Sequence, residues 1–166
     1  MRPKPIKPKA GQESVWDYPR PPRVEASNKH VRVIFNGTII VDSNRAVRVL
    51  ETSHPPVFYL PFEDVKMDYF QELSPRKDTY CEFKGMARYF DLRVGEMSSQ
   101  AVAWTYPNPV RGFESLKGCL ALYPGRMEAC YLNDELVQAQ AGDFYGGWIT
   151  SDIVGPFKGE AGTWGW

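Results

Sequence analysis

Apolar and polar residues alternate along much of the chain in short runs, and turn-forming residues separate these runs. The clearest case is HVRVIFNGTIIVDS (30–43), in which two β-branched runs flank Asn36-Gly37. This dipeptide is the strongest short-range hairpin signal because both residues tolerate positive φ. EACYLNDELV (128–137) indicates a second hairpin of the same kind. RAVRVLETS (45–53) follows the first hairpin, and its valines favour a strand.

The same pattern predicts further strands later in the chain. These are VFYL (57–60), TYCEFKG (79–85), MARYFDLRV (86–94), QAVAWTY (100–106), GCLALY (118–123), MEACYL (127–132) and ELVQAQ (135–140). Gly85 predicts a bend or bulge between the second and third of them. GCLALY and MEACYL are expected to pair across Pro124-Gly125. One short helix is expected in FEDVKMDYFQEL (62–73), where apolar residues stand near helical spacing.

Strands at short intervals, with at most one or two short helices, predict a mainly β fold: a single compact antiparallel β domain of two packed sheets. Residues 1–14 are expected to be a disordered leader, and residues 15–142 form the domain. Residues 143–166 alternate glycines and aromatics without a secondary-structure period. Because disordered tails are poor in aromatics, this segment is expected to pack on the domain or on a neighbouring copy, with Trp148, Phe157 and Trp164 as anchors.

Composition narrows the class of protein. The 166 residues carry 20 basic and 20 acidic side chains, and this neutrality argues against a nucleic-acid partner. No apolar run approaches the ~20 residues that span a bilayer, and no signal-peptide pattern precedes the domain. Three cysteines without a Cys-x-x-Cys pair, and two histidines, predict no disulfide framework, no metal and no cofactor. We therefore expect a cytoplasmic protein without a membrane partner.

A series of short motifs links the chain to a known family. In order they are Ser43, Ala46, Glu51, His54-Pro55-Pro56, Tyr59-Leu60-Pro61, Cys81-Glu82-Phe83-Lys84-Gly85 and Trp104-Thr105-Tyr106-Pro107. Over roughly residues 15–140 the chain resembles domain-of-unknown-function family 427. The resemblance implies a β-tent fold, similar to guanine-exchange-like and methionine-sulfoxide-reductase-like domains but without their zinc knuckles. No Gly-rich phosphate cradle is present, so the resemblance brings a fold and little chemistry.

Three side chains are candidates for catalysis. His54 titrates near neutral pH when unperturbed, and Glu51 three positions earlier could orient it if the chain turns there. A turn histidine bonded to a backbone carbonyl is the simpler interpretation. Cys81 stands three residues before a lysine, which can lower a thiol pKa, although free cysteines usually pack in cores. Cys119 and Cys130, inside apolar strands, are expected in the core.

Six further side chains are candidates for ligand binding. Arg45, Arg48 and Lys84 are cationic, and Arg48 stands on a strand face where an apolar residue would be expected. A guanidinium there needs either a carboxylate partner, for which Glu51 is a candidate, or an anionic ligand. Tyr59, Trp104 and Tyr106 could wall a pocket for a planar ligand, or serve as core.

These residues support two hypotheses. In the first, the chain is a small-molecule-binding β domain, in one version an enzyme, that acts on a small anionic or planar metabolite. There His54 or Glu51 moves a proton, Arg48 or Lys84 holds an anionic group, and Cys81 is the nucleophile. In the second, it is a non-catalytic interaction module that uses its aromatic C-terminal segment, for example to form a homo-oligomer through residues 143–166.

Overall fold

The structure is a computed structural model that describes residues 2–142 and 144–166. Its strands are β1 (Glu13–Ser14), β2 (Arg23–Ala26), β3 (Val31–Phe35), β4 (Thr38–Ser43), β5 (Val47–Leu50), β6 (Val57–Pro61), β7 (Phe70–Glu72), β8 (Thr79–Cys81), β9 (Gly85–Val94), β10 (Met97–Thr105), β11 (Cys119–Leu122), β12 (Ala129–Leu132), β13 (Glu135–Leu136), β14 (Gln138–Ala139), β15 (Trp148–Ile149) and β16 (Ile153–Val154). Short 3-10 helices span Val15–Asp17, Phe62–Asp64, Met67–Tyr69, Pro75–Lys77, Glu114–Leu116 and Pro124–Arg126. The predicted mainly β fold is confirmed.

Two antiparallel sheets form the body of the domain. The larger has the strand order β2-β5-β6-β11-β10-β9-β7. β8 also pairs with β9, along a different part of that strand from β7. The smaller has the order β13-β12-β3-β4, so the two predicted hairpins lie side by side in it. Both hairpins turn as expected, with positive φ at Asn36, Gly37, Asn133 and Asp134. Gly85 also has positive φ, at the predicted bend.

Side-chain alternation divides the apolar residues of the larger sheet between its two faces. Phe58 and Leu60 of β6 and Leu120 and Leu122 of β11 point toward the smaller sheet and join the main core there. Tyr59, between Phe58 and Leu60, points the other way and joins a second cluster that includes Trp104, Tyr106 and Ala121. This outer face of the larger sheet carries the candidate site.

The helix expected at residues 62–73 is wrong. The segment forms two 3-10 turns followed by strand β7. Lys66 N donates to Ile40 O at 2.8 Å, and Val65 forms a bridge with Val41. The backbone therefore bonds to β4 instead of continuing a helix, because tertiary pairing outweighs weak local propensity.

The expected pairing of GCLALY with MEACYL is also wrong. β11 pairs with β6 and β10, whereas β12 pairs with β3 and β13. The Pro124–Arg126 turn carries the chain from the larger sheet to the smaller one, so it connects layers and does not close a hairpin.

The two ends of the chain meet in a third apolar cluster. β1 pairs in parallel with β16, so Glu13 and Ser14 of the expected leader belong to a strand. Val15, Trp16, Tyr18, Leu50 and Ile153 are buried together, with Phe157 and Trp166 packed against them. Of the three expected anchors, Trp148 is fully buried in the main core and Phe157 is half-buried, whereas Trp164 is 91% exposed.

Candidate functional site

The outer face of the larger sheet holds a cavity of about 390 Å³. Seven of the nine predicted site residues line it: Glu51, His54, Tyr59, Cys81, Lys84, Trp104 and Tyr106. Its other lining residues are Val49, Pro55, Val57, Glu82, Phe83, Tyr89, Tyr123, Gln140, Phe144, Tyr145, Gly146 and Lys158. We call this space the aromatic cavity.

Register explains why the aromatic residues meet. Trp104 of β10 lies directly beside Tyr89 of β9 and Ala121 of β11. On the other side of β11, Leu60 of β6 pairs with Leu120, so Tyr59 stands beside Ala121. Tyr59 is in turn opposite Val47 of β5. Side chains paired across neighbouring strands point to the same face of a sheet, so these rings share one surface. Alternation and register thus place Tyr59, Tyr89 and Trp104 on one face of the larger sheet.

Hydrogen bonds and ring contacts hold this wall in place. Trp104 Nε1 donates to Tyr59 Oη at 3.2 Å, and the two rings are edge-to-face with centroids 6.4 Å apart. Tyr123 lies 4.6 Å from Trp104, centroid to centroid. Burial raises the pKa of Tyr59 and Tyr106 well above the usual value, and raises that of Tyr123 to about 12. At neutral pH these phenols are therefore uncharged hydrogen-bonding groups.

His54 lies where the chain leaves β5 and turns into the two prolines before β6. Its Nε2 is 3.6 Å from Glu51 Oε2, and the same oxygen lies 3.2 Å from the Arg20 guanidinium. The turn that brings them together includes the bond from His54 N to Glu51 O. Burial lowers the pKa of His54 to about 4, although the Glu51 carboxylate opposes this. The imidazole is thus neutral at pH 7.

Cys81 and Lys84 enter the cavity from the turn between β8 and β9. Cys81 is half-buried at the end of β8, opposite Gly85. The Lys84 ammonium lies 6.0 Å from the centre of the Tyr106 ring, within the range of a cation–π contact. Within the part of the chain that the structure describes, Lys84 forms no ion pair.

The C-terminal segment, together with Gln140 just before it, supplies residues that the sequence did not point to. Tyr145 packs against His54 with ring centroids 5.3 Å apart. Gly146 touches Trp104 so closely that a Cβ there would lie 2.5 Å from the indole Cη2. Gln140 is buried and bonds to Gly147 N, Lys158 O and the His54 ring. Gln140 was missed because it ends an alternating run, ELVQAQ, that resembles an ordinary exposed strand.

Arg45 and Arg48 do not reach the aromatic cavity. They line a separate hollow of about 670 Å³. Arg48 points to the face opposite Val49 and bonds to Glu13 and Glu25, not to Glu51. Arg45 pairs with Asp64 at 2.8 Å and holds the pKa of that carboxyl below its usual value. The two guanidiniums therefore have carboxylate partners, which the sequence left open as one alternative.

The remaining thiols lie in the core. Cys119 and Cys130 are buried as predicted, and burial raises the pKa of Cys119 to about 11. Among residues 2–142 and 144–166, no three His, Cys, Asp or Glu side chains are grouped so that they could hold a metal ion. Over the same residues, no helix is both long enough and apolar enough to cross a membrane.

Comparison with known proteins gives a family. None of the curated proteins matches the chain. Residues 23–133, more than half of the chain, match the model of the family described as "Domain of unknown function (DUF427)". This range includes β2 to β12, and therefore the whole larger sheet, three of the four strands of the smaller sheet and most of the wall of the aromatic cavity. The chain belongs to this family of domains of unknown function.

Proposed function

We propose that the protein is a small-molecule-binding domain whose aromatic cavity takes a planar metabolite that carries an anionic group. The observation that carries the proposal is the convergence of Tyr59, Trp104 and Tyr106 with Lys84 around one hollow of about 390 Å³. Ligand sites are typically hollows of this size, with apolar or aromatic walls and a few polar groups that fix orientation.

The walls favour a flat ligand. Trp104, Tyr123 and Tyr145 offer ring surfaces, and rings of a ligand can pack on such surfaces with offset or edge-to-face geometry. The rings are also fixed before a ligand arrives, because Trp104 is bonded to Tyr59 and packed on Tyr123. A preformed wall costs less entropy on binding than one that must be ordered.

The cations favour an anionic group. Lys84 and Lys158 both line the cavity, and Lys158 Nζ also donates to Trp166 O at 3.3 Å. Glu51 lies close to Arg20, so its charge is balanced locally. An anionic group near Lys84 would gain a charge-assisted hydrogen bond, which is stronger than a neutral one.

The experiment uses three probes with the same bicyclic carbon skeleton: naphthalene-2-carboxylate, the neutral naphthalene-2-carboxamide, and the non-planar decalin-2-carboxylate. Titration calorimetry and tryptophan fluorescence should show binding in the order planar anion, planar neutral, non-planar anion. Lys84→Met should weaken the planar anion about fivefold, as loss of ~1 kcal/mol implies, and change the amide little. Lys77→Met, an exposed lysine outside the cavity, is the matched control.

Absence of binding by all three probes at millimolar concentration, together with no retained metabolite in native mass spectrometry of the purified protein, would overturn the proposal. Equal weakening by Lys84→Met and Lys77→Met would overturn the role of Lys84. A proton-transfer role for Glu51 or His54 and a nucleophilic role for Cys81 stay predictions, as do the β-tent topology and the cytoplasmic location.

One observation favours the alternative function, a protein-interaction module. Trp164 and Phe144 are 91% and 87% exposed, although both are large aromatic residues. Exposed aromatics mark interaction surfaces when they form part of a larger patch. Self-association through residues 143–166 therefore remains a second proposal, and its test is given below.

A further inference from the structure

Gln140 is held beside the aromatic cavity by three hydrogen bonds, and these bonds fix the orientation of its side-chain amide. Its Oε1 lies 3.1 Å from Gly147 N, and its Nε2 lies 2.7 Å from Lys158 O. A backbone N–H only donates and a backbone carbonyl only accepts. The two contacts therefore require the oxygen to face Gly147 and the NH₂ group to face Lys158.

This orientation decides the role of His54 Nδ1. Gln140 Nε2 lies 3.2 Å from that ring nitrogen, and an amide NH₂ has only protons to offer. Nδ1 must therefore accept the bond with its lone pair. In a neutral imidazole one nitrogen accepts and the other carries the proton, so the proton of His54 is on Nε2. A proton on Nδ1 would point at a second donor.

Among residues 2–142 and 144–166, the Nε2–H group of His54 has no partner within normal hydrogen-bond distance. Glu51 Oε2, at 3.6 Å, is farther away than a normal hydrogen bond allows. His54 also lines the cavity, and 15% of its side chain is exposed. An acceptor atom of a ligand in the cavity can therefore receive a hydrogen bond from Nε2–H, either alone or together with the Glu51 carboxylate.

The charged groups around the ring agree with a neutral state. Glu51 is the acid that favours the imidazolium, whereas Lys158, Arg20 and Lys84 disfavour it, and the Tyr145 ring covers one side. Burial has the largest effect and lowers the pKa of His54 to about 4. The neutral form is therefore stable across the physiological range.

We infer that Gln140 is a positioning residue: it fixes His54 as a neutral imidazole with its proton on Nε2, so that the cavity presents a hydrogen-bond donor to an acceptor oxygen of the ligand, a carbonyl or a carboxylate. The inference about the ligand rests on the proposed function, whereas the protonation state does not. In this arrangement His54 serves the ligand as a hydrogen-bond donor, a role that requires no proton transfer.

The test is nitrogen NMR of ligand-free protein labelled with ¹⁵N-histidine. His30 is the only other histidine, and a His30→Gln variant assigns the two sets of signals. We expect His54 to show a protonated Nε2 and an unprotonated Nδ1, with shifts that stay constant from pH 8 to pH 5. A proton on Nδ1, a mixture of the two tautomers, or a titration near pH 6.5 would overturn the inference.

A substitution separates the role of Gln140 from that of burial. Gln140→Glu replaces the donor with an acceptor, so the His54 proton should move to Nδ1 or the ring should become an imidazolium. Gln138→Glu, two residues earlier and exposed, is the matched control and should leave both nitrogens unchanged. An unchanged His54 spectrum in a folded Gln140→Glu variant would overturn the inference. If that variant does not fold, the wild-type spectrum alone still decides.

The ligand half is tested by adding naphthalene-2-carboxylate to the labelled protein. We expect the His54 Nε2 signal to shift while Nδ1 stays unprotonated. Binding without any change at Nε2 would overturn the contact with the ligand. If His54 has its proton on Nε2, no probe binds and the purified protein retains no metabolite, the proposed function fails and the tautomer stands. If the probe binds and the proton is on Nδ1, the proposed function stands and the inference about the tautomer fails.

Discussion

The Arg48 guanidinium and the Glu13 carboxylate are joined by two parallel hydrogen bonds, each 2.8 Å long. Glu25 accepts a third bond from Arg48 Nε at 2.7 Å. The Arg48 side chain is only 13% exposed, so the guanidinium depends on these carboxylates for solvation. One arginine thus ties β1, β2 and β5 together, and two carboxylates balance its charge.

Loss of this network should lower stability, more at neutral than at acidic pH. Arg48 holds the pKa of Glu13 below its ordinary value, so the ionised carboxylate stabilises the fold above pH ~4.5 and this contribution is lost as the pH falls. Arg48→Met should cost about 1–2 kcal/mol at pH 7, since its partners are partly exposed. Urea unfolding at pH 3–7 measures both effects. Glu96→Gln, an exposed control, should behave as wild type, and an equally stable Arg48→Met would contradict the prediction.

His54 should contribute a pH dependence of its own. Its pKa is about 4 in the fold and about 6.5 in the unfolded chain, so between these values the unfolded state binds more protons. Stability should therefore rise by about 2–3 kcal/mol from pH 4 to pH 7 on account of this residue. A His54→Gln variant should lose that slope in urea unfolding, whereas His30→Gln should keep it. The same slope in both variants would show that His54 is not the cause.

The three thiols should react in a fixed order. Cys81 is half-buried and lines the aromatic cavity, whereas Cys119 and Cys130 are buried and burial raises the pKa of both. Iodoacetamide should therefore modify Cys81 in the native protein and the other two only after unfolding, because the thiolate is the reactive form. Peptide mass spectrometry reads the order. Native labelling of Cys130 before Cys81 would contradict the structure of the core.

A methyl group at Gly146 or Gly147 should disturb the cavity. At Gly146 a Cβ would lie 2.5 Å from the Trp104 ring, and at Gly147 it would lie 2.4 Å from Gln140 Oε1. We expect Gly146→Ala to shift the Trp104 fluorescence and Gly147→Ala to loosen the Gln140–His54 contact. Gly165→Ala, where nothing lies within 4 Å, is the matched control. Wild-type spectra and probe affinity in all three variants would contradict the close approach.

Trp164 is the residue to replace if residues 143–166 mediate self-association. Deletion of the whole segment would remove the buried Trp148 and part of the cavity wall, so it would not separate assembly from folding. Trp164→Ala removes only an exposed ring. Light scattering coupled to size exclusion should show a smaller particle for this variant if the ring lies in an interface. Equal masses for variant and wild type would end its part in assembly.

The strands and the aromatic wall could be read from the sequence because their determinants are local. Asn36-Gly37 sets one hairpin, and alternation places Tyr59 on the face opposite Phe58. The helix prediction for residues 62–73 was wrong because the backbone N of Lys66 bonds to the carbonyl of Ile40, which belongs to β4 and is distant in the sequence. Glu51 and His54 could be paired because they stand three residues apart and one turn joins them, whereas Gln140 lies 86 residues from His54, beyond the reach of any local pattern.

The parallel pairing of β1 with β16 joins the first and last strands of the structure. Trp16 Nε1 donates to Pro156 O at 2.9 Å. Lys158, two residues farther along the chain, lines the aromatic cavity, and its backbone N donates to Ser53 O. Removal of the residues around Glu13 would therefore loosen the attachment of Lys158, a lining residue of the cavity more than 140 positions away in the sequence.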